Sequence, residues 1–156
     1  TVESTEGMGT VFKVNFSFEK LTEKKEVVEL VSSKQVYEGS KVLIAEDNPM
    51  NVLVISKLLE EFGVETEVAK NGKEAVEMAR VGKFDLIFMD VHMPEMDGLQ
   101  ATRILKSEGS KVPIVALSAN ITKAARKEAD DSGMEEYVTK PFTREGILKV
   151  LNRFLN

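Results

Sequence analysis

At 156 residues the chain holds one domain of ordinary size plus an appendage and is too short for two full domains. Hydrophobic residues at 42 % and charged residues at 30 % describe a soluble globular chain, and a net charge of −5 gives no basic field to attract nucleic acid. The absence of cysteine excludes disulfides, thiolate metal sites and cysteine nucleophiles, and no apolar run nears the roughly 18 residues that span a bilayer. With no signal-peptide pattern at the N-terminus, a cytoplasmic location is expected, in a parent chain that is itself free to be membrane-anchored.

Within the first forty residues, Thr10 to Phe18 places Phe12, Val14, Phe16 and Phe18 in alternation with Lys13, Asn15 and Ser17, at the period of a half-buried strand. A single strand cannot fold alone. Glu19 to Ser40 is rich in Lys, Glu, Ser and Val without Pro, and reads as a linker, part helical at most, rather than a domain. The expected division is a strand remnant over 1–20, a linker over 21–40 and a domain over 41–156.

From Lys41 onward, short apolar runs alternate with helical patterns, the signature of βαβ units on a parallel sheet. Strands are predicted at Val42 to Ala45, Glu65 to Ala69, Asp85 to Met89, Ile114 to Leu117 and Tyr137 to Thr139. The first helix should start at Asn48 as N-cap with Pro49 behind it and stop at Gly63, burying Ile55, Leu58, Leu59 and Phe62. Further helices are predicted over Asn71 to Arg80, Gly98 to Lys106, Thr122 to Ser132 and Thr143 to Phe154. Right-handed crossovers then give an α/β fold, a doubly wound five-stranded parallel sheet with helices on both faces, for which the flavodoxin-like order 2-1-3-4-5 is expected.

In such a sheet the residues just past the carboxyl ends of the strands converge on one crevice. Those residues are Glu46 and Asp47 after the first strand, Asp90 at the end of the third, Ser118 at the end of the fourth and Lys140 with Pro141 after the fifth. Three clustered carboxylates repel, by about 1 kcal/mol per pair at ~4 Å in water and about 4 at an effective dielectric of 20, so a cation must compensate. Few hard oxygen ligands with open positions suit Mg²⁺, Lys140 adds a point charge for a phosphoryl oxygen, and Asp90 can serve as a carboxylate nucleophile.

Glu46-Asp47-Asn48, Met89-Asp90 followed by Met93-Pro94 and Asp97-Gly98, Ala116-Leu117-Ser118-Ala119-Asn120, and Tyr137-Val138-Thr139-Lys140-Pro141-Phe142 together resemble the response-regulator receiver family over Lys41 to Asn156. The resemblance implies that Asp90 takes a phosphoryl group from a phosphohistidine. Asp47, Asp90 and the backbone carbonyl of His92 would hold Mg²⁺, with Glu46 acting through water. It further implies that Ser118 turns toward the phosphoryl group, that Lys140 pairs with it and that Tyr137 swings inward, shifting the surface of the fourth helix, fifth strand and fifth helix. A cis Lys140–Pro141 peptide is expected. Ser4 to Phe12, with Gly7-Met8-Gly9, resembles the glycine box and final strand of a sensor histidine kinase ATP-binding domain, so the chain looks like the tail of a kinase, a linker and a fused receiver from a hybrid histidine kinase.

Singly, each residue has a plainer reading: Glu46 and Asp47 as solvated carboxylates, Ser118 as a strand-end hydroxyl, Lys140 as a surface charge, Tyr137 as half-buried core and His92 as an ordinary loop residue. Met93, Met96 and Met134 read as packing. A phosphorelay switch is the expected function, and its partners are a histidine kinase dimerisation domain or a histidine phosphotransfer protein. The alternative is a Mg²⁺-dependent phosphohydrolase of the haloacid dehalogenase type, but His92 stands where that family carries a second Asp. A flavodoxin-like electron carrier would need a hydroxyl-rich loop in place of Glu46-Asp47-Asn48-Pro49, and a receiver kept only for docking would not need the full acidic set.

Overall fold

The computed structural model describes residues 2–5, 9–12, 37–119 and 122–155, and the chain divides into two compact units between Ser33 and Lys34. In the first unit, β1 (Val2–Thr5) pairs antiparallel with β2 (Gly9–Phe12), Val2 opposite Phe12 and Thr5 opposite Gly9. The anticipated strand is therefore present over its first residues and has a partner that the sequence did not signal: Val2–Thr5 is too short and polar to show a period of two. Gly7, Lys13 to Phe18 and the linker stretch from Glu19 to Val36 lie outside the described residues.

The second unit alternates strands and helices: β3 (Lys41–Ala45), α1 (Pro49–Glu61), β4 (Glu65–Ala69), α2 (Gly72–Val81), β5 (Leu86–Asp90), α3 (Gly98–Ser107), β6 (Ile114–Ser118), α4 (Lys123–Ser132), β7 (Glu136–Thr139) and α5 (Arg144–Phe154). All pairings are parallel, in the order β4-β3-β5-β6-β7, which is the flavodoxin-like 2-1-3-4-5 within this unit. β3, β5 and β6 are covered on both faces, which is why they read as continuous apolar runs. Successive side chains point to opposite faces. Val42, Ile44, Leu86 and Phe88 pack with Ile55, Leu59, Ile147 and Leu151 on the α1/α5 side, while Leu43, Ala45, Ile87 and Met89 pack with Val76, Ala101, Leu105 and Ala129 on the other.

Each helix begins at the carboxyl edge of the sheet on a residue whose side chain accepts from its first turn: Asn48, Asn71, Asp97, Thr122 and Thr143. Capped starts fix where the strand-to-helix loops turn, and those loops carry the polar residues of the crevice. The predicted stop at Gly63 is borne out by its φ of 76°, the left-handed conformation that a side chain would disfavour.

The compact unit reaches upstream of Lys41. Tyr37, which the sequence reading assigned to the linker, is buried, with its N–H donating to the Phe62 carbonyl at 2.8 Å and its hydroxyl to Asn152 Oδ1 at 2.6 Å. Its ring meets that of Phe62 edge-on at 6.5 Å, and burial holds its phenol above the ordinary tyrosine pKa, so the hydroxyl stays a donor. Tyr37→Phe should lower the unfolding free energy by about 1 kcal/mol and Tyr37→Ala by about 3 kcal/mol or more, measured by urea titration. Equal stability of all three chains would show that Tyr37 is not anchored.

Candidate functional site

The residues singled out at the strand ends meet. β3 ends just before Glu46 and Asp47, β5 ends on Asp90 and β6 on Ser118, while Lys140 follows β7. Carboxylate oxygens of Glu46, Asp47 and Asp90 lie within 4.8 Å of one another. Lys140 Nζ sits 2.6 Å from Glu46 Oε2 and 2.7 Å from Asp90 Oδ2, so one ammonium serves two buried acids. Its backbone N–H donates to the Ser118 carbonyl at 3.0 Å, and the Lys140–Pro141 peptide is cis, as anticipated.

Glu46 is 1 % exposed and Asp90 5 %, whereas Asp47 is exposed. Glu46 Oε1 accepts from Asn51 Nδ2 at 2.9 Å and from the Asn48 N–H at 3.3 Å; its Oε2 is buried without an aligned hydrogen-bond donor and relies on the Lys140 charge. Asp90 Oδ1 accepts from the His92 N–H at 3.3 Å. Burial pushes the Asp90 carboxyl above its ordinary value of 3.8, and Glu46 adds to the rise, which the Lys140 hydrogen bond only partly offsets. Burial works against the Lys140 charge, but its hydrogen bond to Asp90 and its ion pair with Glu46 outweigh that cost, and its pKa lies above the ordinary lysine value. With all three acids ionised, one ammonium leaves the cluster two charges negative, and an underprotected buried Glu46 oxygen with an exposed Asp47 beside it is a donor set that fits a hard divalent cation.

Tyr137 is half-buried beneath Arg126 of α4, whose guanidinium carbon lies 4.0 Å from the ring centroid. Tyr137 and Ser118 line a common cavity of about 220 Å³ with Ala116, Ala125 and Ala129. The sequence reading missed two of these partners. Asn51 was detectable, as an amide one turn into the helix after Glu46; Arg126 was not, because which face of α4 meets β7 depends on tertiary packing.

The family model for the response regulator receiver domain matches residues 42–152. The chain belongs to this family. It is a receiver domain of two-component phosphorelay signalling, on the architecture anticipated for it. Among curated relatives it is 35 % identical over 134 residues to hybrid signal transduction histidine kinase I of Dictyostelium discoideum, covering 80 % of this chain and 8 % of that protein. It is 38 % identical over 116 residues to the sensor protein GacS of Pseudomonas syringae pv. syringae, covering 71 % of this chain and 13 % of that one. The receiver thus corresponds to a small part of much longer kinases.

Among solved structures, the receiver domain of the sensor histidine kinase PA1611 from Pseudomonas aeruginosa PAO1, determined with magnesium in its active site cleft, is 36 % identical. It aligns with a TM-score of 0.70 over 75 % of this chain and 98 % of that one. The receiver domain of Saccharomyces cerevisiae Ssk1, solved with the histidine phosphotransfer protein Ypd1, is 31 % identical with a TM-score of 0.71 over 77 % of this chain and 91 % of that one.

A carboxyl whose pKa is higher in the fold than in the unfolded chain favours folding when protonated, a contribution present below the ordinary value of 3.8 and lost as pH rises through the folded value. In chelator, Asp90→Asn should therefore melt higher than the parent receiver at neutral pH, with the gain shrinking as pH falls through the raised carboxyl pKa toward the ordinary aspartate range and levelling off below it. Asp47→Asn, which relieves solvent-screened repulsion, should stabilise the metal-free fold by a fraction of a kcal/mol to about 1. A pH-independent difference for the first, or a lower melting temperature for the second, would contradict the clustered-acid account.

Proposed function

We propose that Asp90 is the phosphoryl acceptor of this receiver and that the phosphoryl group comes from a phosphohistidine on a histidine kinase dimerisation domain or a histidine phosphotransfer protein. The observation that carries this reading is the sharing of one ammonium, Lys140, between Asp90 and the buried Glu46. Asp47, Asp90 and the His92 carbonyl would hold Mg²⁺, with Glu46 reaching it through water. Bound there, the ion supplies the positive charge that lets a dianionic phosphoryl group approach three carboxylates.

One Asp90 carboxylate oxygen attacks phosphorus as the donor's P–N bond breaks and its electron pair returns to the imidazole nitrogen. Lys140 moves its charge from the carboxylate to a phosphoryl oxygen, and the Ser118 hydroxyl donates to another. Ser118 then draws its loop inward and Tyr137 leaves Arg126 for the cavity that it shares with Ser118, changing the face formed by α4, β7 and α5. Hydrolysis, by attack of water on the same phosphorus, restores the carboxylate.

The donor's docking face is α1. Met50, Leu53 and Val54 are large exposed apolar side chains at helical spacing, on the helix that starts two residues after Asp47. The relatives' long kinase chains support a hybrid kinase as the parent, with the β1–β2 hairpin as the remnant of its ATP-binding domain.

Incubation with Mg²⁺ and a small phosphodonor should add one phosphoryl group on Asp90, none in Asp90→Ala or Asp47→Asn, and none in chelator; modification elsewhere would defeat the assignment. Leu53→Glu should slow transfer from a phosphohistidine protein about tenfold while leaving labelling by the small donor unchanged. Steady release of phosphate from phosphate esters would instead favour the phosphohydrolase reading.

A further inference from the structure

α2 contributes no carboxylate or ammonium to the site, yet its first residue touches the loop that does. At Gly72 an added Cβ would lie 2.6 Å from the Met96 carbonyl oxygen, 2.9 Å from Met96 Cγ and 3.0 Å from the Asp97 carbonyl oxygen. The Gly72 N–H donates to that Met96 oxygen at 3.0 Å. Only a residue without a side chain lets the start of α2 press directly on the main chain between β5 and α3.

The same loop is gripped at its far end. A Cβ at Gly98 would stand 2.0 Å from the Asp90 carbonyl oxygen, and the Gly98 N–H donates to the Val91 carbonyl at 3.1 Å. Between the two grips, Glu95 has a φ of 63°, a conformation that costs a side-chain-bearing residue about 1 kcal/mol or more and persists only where the surroundings impose it. His92, Pro94, Glu95 and Asp97 are exposed, and the loop's apolar residues Val91, Met93 and Met96 are only partly buried against the core. Beside that packing, main-chain contacts at Gly72 and Gly98 and the 3.3 Å bond from the His92 N–H to Asp90 Oδ1 fix the path of the loop's main chain.

We propose that Gly72 is a positioning residue for divalent-ion binding: by buttressing Met96 and Asp97 it keeps the His92 carbonyl in register with the Asp90 carboxylate. The proposal rests on the Mg²⁺ reading above and assigns to α2 a part in it. A ligand carbonyl on an unsupported loop would sample many positions, and restoring one of them on binding lowers affinity.

The test is Mg²⁺ titration of the receiver followed by NMR at the Asp90 and His92 amides, with no phosphodonor present. Gly72→Ala is compared with Gly82→Ala at the other end of the same helix, where a Cβ would stand 2.4 Å from the Phe84 ring. Both variants should lose stability, but only Gly72→Ala should weaken Mg²⁺ binding, by about tenfold or more, with Gly82→Ala within about twofold of the parent. Unchanged affinity in folded Gly72→Ala, or an equal loss in Gly82→Ala, overturns the role. If Gly72→Ala does not fold, Met96→Ala removes the side chain packed on Gly72 without adding volume; it should weaken binding in the same direction, and parental affinity in it overturns the role. A parent receiver that binds no Mg²⁺ at millimolar concentration would remove the site reading itself and this role with it.

Discussion

Everything at the carboxyl edge of the sheet depends on two buried acids sharing one ammonium. Removing a carboxylate from water costs several kcal/mol unless the charge is compensated, and Lys140 compensates Glu46 and Asp90 together at 2.6 and 2.7 Å. One positive charge between two negative ones leaves a net negative charge, and Lys140 only partly offsets the burial that, with Glu46, raises the Asp90 pKa. The residual negative charge suits the crevice to a cation, and the flexible stem of Lys140 would let its ammonium change partners on the proposed mechanism.

The fold delivers this arrangement by geometry that the sequence states openly. β3, β5 and β6 are covered on both faces and so read as apolar runs, and each helix start carries a capping Asn, Asp or Thr. Strand ends were therefore legible to within a residue, and with them the positions of Glu46, Asp47, Asp90, Ser118 and Lys140. A doubly wound sheet converts knowledge of strand ends into knowledge of neighbours, because parallel strands open on the same crevice.

What stayed hidden has a common cause. Tyr37 is one aromatic in a polar stretch, and nothing local says that its hydroxyl meets Asn152 more than a hundred residues on. The pairing of Arg126 with Tyr137 needs the rotation of α4 about its own axis, which its two buried residues, Ala129 and Ser132, barely specify. The contact of Gly72 with Met96 joins segments with no shared period. Local pattern reports which face of an element is buried; it does not report which atoms then touch across the gap.

The thin packing of α4 bears on how a single phosphoryl group could move a surface. The stacking of an exposed Arg126 on Tyr137 is worth about 0.5–1 kcal/mol. A hydrogen bond from a hydroxyl to a charged phosphoryl oxygen contributes about 1.5–3 kcal/mol. On the proposed mechanism the bond gained by Ser118 exceeds the stacking lost by Tyr137, and the cavity beside them, lined in part by Ala116, Ala125 and Ala129, offers the ring a place to go. A helix anchored by a Leu or Phe would raise the cost of that rearrangement by several kcal/mol, beyond what one such bond supplies. On that mechanism, the weak hydrophobic anchorage of α4 would bring the two arrangements close enough in free energy for phosphorylation of Asp90 to choose between them.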